Sequence, residues 1–372
     1  MRSDEYFMKL ALDLAATAKG KTSPNPVVGA ILVKDGQIVG LGVHRKSGEP
    51  HAEVHAFGMA GEHAKGATLY VTLEPCAHYG KTPPCAEQVR ISGVKRVVAA
   101  MQDPNPEVAG RGFQLLKEQG IEVEVGVLES EARLLNERFV LNMVKRRPFI
   151  ISKTAITLDG KIAAHTGHSQ WITGEKARDE VHQLRSEVDG ILVGINTILA
   201  DNPRLTARLP GNEKHPVRIV LDSKLRMPLN ANVTDCSEAR TWVVTRENAD
   251  PDKVSLLRQK GLEILFVPEG REGFDLRALV DMLYRKGITD LLVEGGGEIN
   301  GSFLRAGLID KWLIYMAAKI LGGRNSISPY SGADVDKMDE ALNIHIHSIR
   351  QVGEDICITA YPAGCSGTAA FL

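Results

Sequence analysis

His51-Ala52-Glu53-Val54-His55-Ala56 reads as the opening of a helix, Ala67-Thr68-Leu69-Tyr70-Val71-Thr72-Leu73-Glu74 as a strand running into Pro75-Cys76, and Cys85-Ala86-Glu87-Gln88-Val89 as the opening of a second helix. This α/β unit brings His51 and Cys85 to helix starts, where the macrodipole favours thiolate over thiol, and Cys76 to the strand's end. A catalytic zinc takes three protein ligands and keeps a fourth position for water, whose pKa it lowers towards neutrality. Those three residues supply that count. Glu53, two residues past the histidine, is placed to carry protons rather than to bind metal, as in the H-x-E and P-C-x-x-C pattern of zinc deaminases. The second half of that pattern departs here, because the loop from Ala77 to Pro84 separates the cysteines. That loop is read as an insert carrying polar side chains to the mouth of the site. An isolated H-x-E is more often a surface histidine near ordinary buried thiols, and it is the surrounding helix, strand and helix that select the metal reading.

Composition agrees with an enzyme. The chain has 372 residues, which favours two domains, and its 43% hydrophobic and 24% charged residues are those of a globular protein. With 45 Lys and Arg against 46 Asp and Glu, the formal net charge is −1. No global field recruits nucleic acid or an anionic membrane, so any phosphate is held locally. The five cysteines show no disulfide spacing, Met1 to Tyr6 opens an amphipathic helix rather than a signal peptide, and no apolar run approaches a membrane span. A cytoplasmic location is expected.

Outward from the motif, the first half reads as a helix from Tyr6 to Lys19 and a hairpin of Val27 to Val33 with Gln37 to Val43. A strand from Val94 to Met101, a helix from Gly110 to Glu118, a strand from Glu122 to Val127 and one charged helix from Ser130 to Val144 follow. Lys145-Arg146-Arg147-Pro148 interrupts the pattern. The expected domains are 1–146 and 147–362, followed by a small, polar tail at 363–372. The second half alternates strand Phe149 to Thr154, helix Glu175 to Glu187, strands Gly190 to Val193, Val217 to Leu221, Thr241 to Val244 and Leu262 to Phe266, helix Asp275 to Lys286, and strand Asp290 to Val293. Strands separated by helices imply a largely parallel sheet covered on both faces.

Glu294-Gly295-Gly296-Gly297-Glu298-Ile299-Asn300-Gly301-Ser302 follows the last of these strands and opens a helix, so its amides and dipole suit phosphate oxygens. A plain glycine-rich turn is the rival reading. It is not the Rossmann fingerprint, because Asn300 stands where the third glycine belongs. A different dinucleotide fold is required.

Six motifs in order carry a resemblance over nearly the whole chain: Ser23-Pro24-Asn25-Pro26-Val27-Val28-Gly29-Ala30, His51 to Ala56, Val71 to Cys85, Asp103-Pro104-Asn105-Pro106, Leu158-Asp159-Gly160-Lys161-Ile162-Ala163 and Val293 to Gly296. They resemble the bifunctional deaminase and reductase of riboflavin biosynthesis. The resemblance implies an α/β fold class, with a cytidine-deaminase-like α/β/α domain followed by a dihydrofolate-reductase-like α/β domain. It implies removal of ammonia from 2,5-diamino-6-ribosylamino-4(3H)-pyrimidinone 5′-phosphate, then reduction of the ribosyl group to ribityl with NADPH. It also implies one Zn2+ per chain and a homo-oligomer, with no nucleic-acid or membrane partner. By the same resemblance, Asn25, His44, His78 and Lys81 contact the deaminase substrate, although a lone loop histidine or lysine is usually solvated surface. Ala155, Trp171, Thr197, Asp201, Ser223, Gly296, Gly297, Glu298, Ile299, Asn300, Gly301 and Ser302 align with NADP contacts. Lys153, Ser169, Arg185, Leu205, Arg208 and Glu294 align with reductase substrate contacts, and Lys153, Asp201 and Glu294 fall around the ribose. Arg185 and Arg208 suit phosphate because a guanidinium binds it bidentately, a surface ion pair being the alternative. Trp171 is equally suited to filling a core.

Two other function classes fit parts of the pattern. A nucleoside or nucleobase deaminase fused to an unrelated reductase keeps the zinc chemistry, but near-neutral charge and the lack of a basic aromatic groove argue against a nucleic-acid substrate. A structural zinc-binding interaction protein requires a fourth protein ligand and gives Glu53 no work.

Overall fold

The structure is a computed structural model that describes residues 2–77, 84–106, 108–211, 214–270 and 273–363. The expected tail falls, from residue 364 onward, outside the described residues. The chain separates into two compact units that divide between Arg146 and Arg147.

The first unit comprises α1 (Asp4–Ala16), β1 (Gly29–Lys34), β2 (Gln37–Val43), α2 (Ala52–Ala60), β3 (Thr68–Val71), α3 (Cys85–Ser92), β4 (Arg96–Ala99), α4 (Arg111–Glu118), β5 (Glu122–Val125), α5 (Glu129–Leu135) and α6 (Glu137–Lys145). Its sheet has the order β2-β1-β3-β4-β5, with β1 antiparallel to both neighbours and β3, β4 and β5 parallel. Glycines let helices approach this sheet on both faces. A Cβ on Gly29 would lie 2.1 Å from the Ala11 carbonyl oxygen of α1, whereas one on Gly42 would lie 1.9 Å from that of Ala52 at the start of α2. Gly42 pairs with Ala30, the neighbour of Gly29 along β1, and alternate residues of a strand face opposite ways. The two helices therefore cover opposite faces, an α/β/α arrangement. The charged helix expected from Ser130 to Val144 is two helices. Asn136 takes φ −105° between them, and its side chain accepts from the Val27 N–H at 2.9 Å and donates to the Val27 oxygen at 3.0 Å. Two hydrogen bonds to buried backbone outweigh the continuation of one helical turn.

The second unit comprises β6 (Phe149–Thr157), α7 (Glu175–Glu187), β7 (Gly190–Gly194), α8 (Ile195–Asp201), β8 (Val217–Leu221), β9 (Thr241–Thr245), α9 (Pro251–Gln259), β10 (Glu263–Phe266), a short pair β11 (Glu269–Gly270) and β12 (Gly273–Phe274), α10 (Leu276–Arg285), β13 (Asp290–Val293), α11 (Gly297–Arg305), β14 (Lys311–Ala317), β15 (Ile344–Val352) and β16 (Asp355–Pro362). The main sheet runs β10-β9-β8-β7-β13-β6-β14-β16-β15. Every pairing from β10 to β14 is parallel, and β16 and β15 complete the sheet in antiparallel fashion. Ile150, Leu192, Ile219, Val244, Leu291 and Phe303 are buried together with Leu279 and Leu283 of α10. Insertion of β13 between β6 and β7 makes the carboxyl ends of these strands a crevice, the place where ligands bind in open α/β sheets.

Candidate functional site

The three soft donors converge in the first unit. His51 caps the amino end of α2, Cys85 is the first residue of α3, and Cys76 follows β3 through Pro75. His51 Nδ1 is 3.1 Å from Cys85 Sγ and 3.6 Å from Cys76 Sγ, and the Cys85 amide donates to Cys76 Sγ at 3.3 Å. All three donor atoms lie within 4.8 Å of one another, and no fourth His, Cys, Asp or Glu joins the group among the described residues. Tetrahedral zinc, with Zn–S of about 2.3 Å and Zn–N of about 2.0 Å, requires N···S separations of roughly 3.5 Å. The donor set fits that ion.

Electrostatics at this cluster follow from its packing. The hydrogen bond from Cys85, against the opposing effect of burial and with help from His51, pulls the Cys76 thiol down to about 4. The same hydrogen bond, with burial, pushes Cys85 up, and the contact with Cys76 raises His51. Glu53 lies in the first turn of α2 and is only 3% exposed. Burial raises its carboxyl to about 7, where a group both takes and gives a proton at neutral pH. Asn25 and His44 extend the cluster. The His44 ring packs edge-on against His51 with centroids 5.3 Å apart, its Nδ1 is 3.3 Å from the Pro50 carbonyl oxygen and its Nε2 is 3.2 Å from Asn25 Nδ2. Since a carbonyl only accepts, Nδ1 carries the hydrogen and Nε2 accepts from the amide. Burial lowers His44, consistent with that neutral tautomer. His78 and Lys81 lie outside the described residues.

In the second unit, Ser152 of β6 pairs with Val293 of β13, so Lys153 and Glu294 follow side by side. Arg185 of α7 grips Glu294 bidentately, Nε to Oε1 at 3.0 Å and Nη2 to Oε2 at 2.7 Å, and Lys153 Nζ is 4.0 Å from the same carboxylate. Burial pushes Glu294 up, but Arg185 and Lys153 outweigh it and hold the carboxyl at about 2. Burial lowers Lys153. Because the third nitrogen of Arg185 reaches the Thr206 oxygen at 3.4 Å, this guanidinium is committed to the protein. Arg208 is different. It is exposed, and burial together with the nearby positive charges of Arg185 and Arg204 lowers it, a local excess of positive charge that an anion would relieve. His182 accepts from the Arg208 amide at 3.3 Å, and burial with Arg185 and Arg208 brings it down to about 4.

Partial burial raises Asp201, at the end of α8, against a hydrogen bond from Ser169. Ser169 and Trp171 line a cleft of about 270 Å³ with Lys161 and Lys319, and Trp171 is 61% exposed under the Arg178 guanidinium, so it is not core filling. Ala155 on β6, Thr197 on α8 and Ser223 after β8 are half-buried, whereas Leu205 is buried with φ +55°. The glycine-rich run divides by function. A Cβ at Gly297 or Gly301 would meet Ser331 at 2.4 or 1.8 Å, and Asn300 donates to the Gly295 and Pro329 oxygens, so these residues seat α11 against the 328–331 segment. Glu298 is exposed, Ile299 lies against Gly295, and Ser302 bonds the Glu298 carbonyl. Gly296, at the amino cap of α11, has nothing within 4 Å of a Cβ position. That open cap fits a phosphate-bearing cofactor.

Residues 148–358 match the family described as RibD C-terminal domain, and residues 1–101 match the cytidine and deoxycytidylate deaminase zinc-binding region. The riboflavin biosynthesis protein RibD of Aquifex aeolicus is 47% identical over 355 residues, covering 95% of this chain and 97% of that protein. The chain belongs to the RibD family. It is a riboflavin-biosynthesis enzyme with a zinc-binding deaminase domain and a reductase domain. Among solved structures, Acinetobacter baumannii RibD superposes with a TM-score of 0.87 at 39% identity, covering 97% of this chain and 99% of that one. A Thermotoga maritima protein titled a diaminohydroxyphosphoribosylaminopyrimidine deaminase/5-amino-6-(5-phosphoribosylamino)uracil reductase gives 0.85 at 37% identity over 97% and 99% of the two chains. Sequence reasoning missed two groups at these RibD sites. Glu74 was legible as a carboxylate immediately before Pro75-Cys76. His182, one helical turn before Arg185, carried no signal beyond its spacing.

Proposed function

We propose that the first unit removes ammonia from 2,5-diamino-6-ribosylamino-4(3H)-pyrimidinone 5′-phosphate and the second reduces the ribosyl side chain of the product to ribityl with NADPH. The observation that carries the reading is the convergence of His51, Cys76 and Cys85 beside buried Glu53. Zinc, when held by these three residues, supplies an acidified water as nucleophile. Glu53 gives the proton at its carboxyl to the ring nitrogen, takes a second from the hydroxyl that the attacking water leaves on the ring carbon, and passes that one to the departing amine, so that a carbonyl and ammonia result. Asn25, its amide oriented by His44, offers its carbonyl oxygen to the pyrimidinone, and His78 and Lys81 complete the substrate set.

In the second unit NADPH supplies the two-electron reductant. Gly296 and the first turn of α11, with Ala155, Trp171, Thr197, Asp201 and Ser223, are the groups proposed to hold it. Burial disfavours the charged forms of Lys153 and Asp201, so that Asp201 holds a proton at the ribose more readily and Lys153 gives one up more readily. Arg208 takes the substrate phosphate, and Arg185 keeps Glu294 ionised and oriented. A cytoplasmic location is part of this proposal, and no described helix is long and apolar enough to cross a membrane. Self-association is supported by the edge strand β15, which exposes Ile344, Ile346 and Ile349. Sedimentation showing only monomer would contradict that part.

Incubation with the diaminopyrimidinone phosphate, following ammonia and NADPH together, tests the whole. Ammonia release should precede NADPH oxidation. Glu53→Gln should retain zinc and fold and lose ammonia release by about 10²-fold or more, while still oxidising NADPH on deaminated substrate. Normal deamination by that variant would remove Glu53 from the chemistry.

A further inference from the structure

Glu74 is a buried carboxylate, 5% exposed, two residues before Cys76 and paired with no cation among the described residues. Its oxygens accept three main-chain N–H groups: Asp103 at 3.2 Å and Gly110 at 2.9 Å on Oε2, and Gly112 at 2.8 Å on Oε1. Its own N–H donates to the Met101 oxygen at 3.0 Å. A carboxylate satisfied by backbone donors staples two chain segments, here the exit of β3 and the turn that leads into α4. Gly110, at the amino cap of α4, has no side chain to satisfy the orphan amides of the first turn. Glu74 takes that role from a distant point in the sequence. The packing is close enough to transmit position, since a Cβ on Gly112 would stand 2.1 Å from the Pro75 oxygen. Downstream, the Cys76 oxygen accepts from the Ala86 N–H at 3.1 Å and its sulfur from the Cys85 N–H at 3.3 Å.

We propose that Glu74 is a positioning residue of the deaminase site, fixing through Pro75 the direction in which Cys76 presents its sulfur to the metal. The staple upstream and the α3 amides downstream leave Cys76 one orientation. Among the described residues, the Glu74 carboxylate bonds the amides of Asp103, Gly110 and Gly112 and none of the donor atoms of His51, Cys76 or Cys85. The inference rests on the zinc reading of His51, Cys76 and Cys85, and the control separates the two: a wild-type chain that binds no zinc overturns that reading, not this one.

The test uses full-length Glu74→Gln, which keeps shape but offers an N–H₂ to an amide donor, and Glu74→Asp, which keeps charge but shortens the reach. Groups that orient metal ligands typically contribute about 10–100-fold in metal affinity or activity. Both variants should therefore lose zinc to a chelator about 10–100-fold faster than wild type, and the kcat for ammonia release should fall by a similar factor with KM changed by no more than about twofold. The visible spectrum of the cobalt-substituted protein should shift, and NADPH oxidation on deaminated substrate should stay at the wild-type rate. Wild-type metal release and cobalt spectrum in both variants would overturn the proposal. So would a deaminase unit that fails to fold in both while the reductase persists, because Glu74 would then determine the fold rather than the ligand.

Discussion

At the scale of single residues, the two units solve the same problem in opposite ways. Burial outweighs the neighbouring His51 and raises Glu53 to about 7, whereas Glu294 is held at about 2 because Arg185 and Lys153 overcome burial. Environment, not residue type, sets the role. A carboxyl at about 2 in the fold and about 4.5 in the unfolded chain stabilises the fold fully above pH 4.5 and loses that contribution as pH falls towards 2. At neutral pH the contribution is on the order of 3 kcal/mol. Arg185→Met should lower the stability of the reductase unit by about this amount at pH 7, and the deficit should shrink at pH 3. Urea unfolding of the two proteins at both pH values checks it. A deficit of equal size at both would show that Arg185 acts by packing alone.

At the scale of elements, the three donors proposed for zinc are only as well placed as the elements that carry them. The Ala52 carbonyl oxygen, adjacent to His51, would stand 1.9 Å from a Cβ on Gly42. Gly42→Ala should push the start of α2 off β2, cost about 1–3 kcal/mol and lower zinc content. Gly36→Ala, in a turn at φ +77° with nothing nearby, should cost stability through its backbone alone and leave zinc content unchanged. Thermal unfolding with metal analysis of both variants separates these outcomes, and equal zinc in both would show that α2 is not held by this contact. The elements themselves were unevenly legible. The helix Glu175–Glu187 and the strands Val217–Leu221 and Asp290–Val293 stand where alternation and helical period place them. The break at Asn136 was not visible because its cause, the backbone at Val27, is distant in sequence. The seven-residue α8 escaped notice between β7 and β8, and β15 escaped because its apolar residues face solvent and blur the expected in-out pattern.

At the scale of the whole molecule, the motifs in order disclosed the family and the deaminase donor set, because metal ligation imposes residue types at fixed places. The reductase half was less legible. Its glycine-rich run reads as a phosphate cradle throughout, yet close packing on Ser331 explains Gly297 and Gly301, and only Gly296 stands open. Likewise Arg185 and Arg208 look alike in sequence, and only the fold commits one to Glu294 and leaves the other exposed. The central claim is that ammonia release belongs to a metal held by His51, Cys76 and Cys85. The most direct measurement is metal content and both activities before and after exhaustive chelation. One zinc per chain is expected, with loss of ammonia release on its removal, recovery on re-addition, and NADPH oxidation unaffected throughout. Ammonia release at an undiminished rate from zinc-free protein would contradict it.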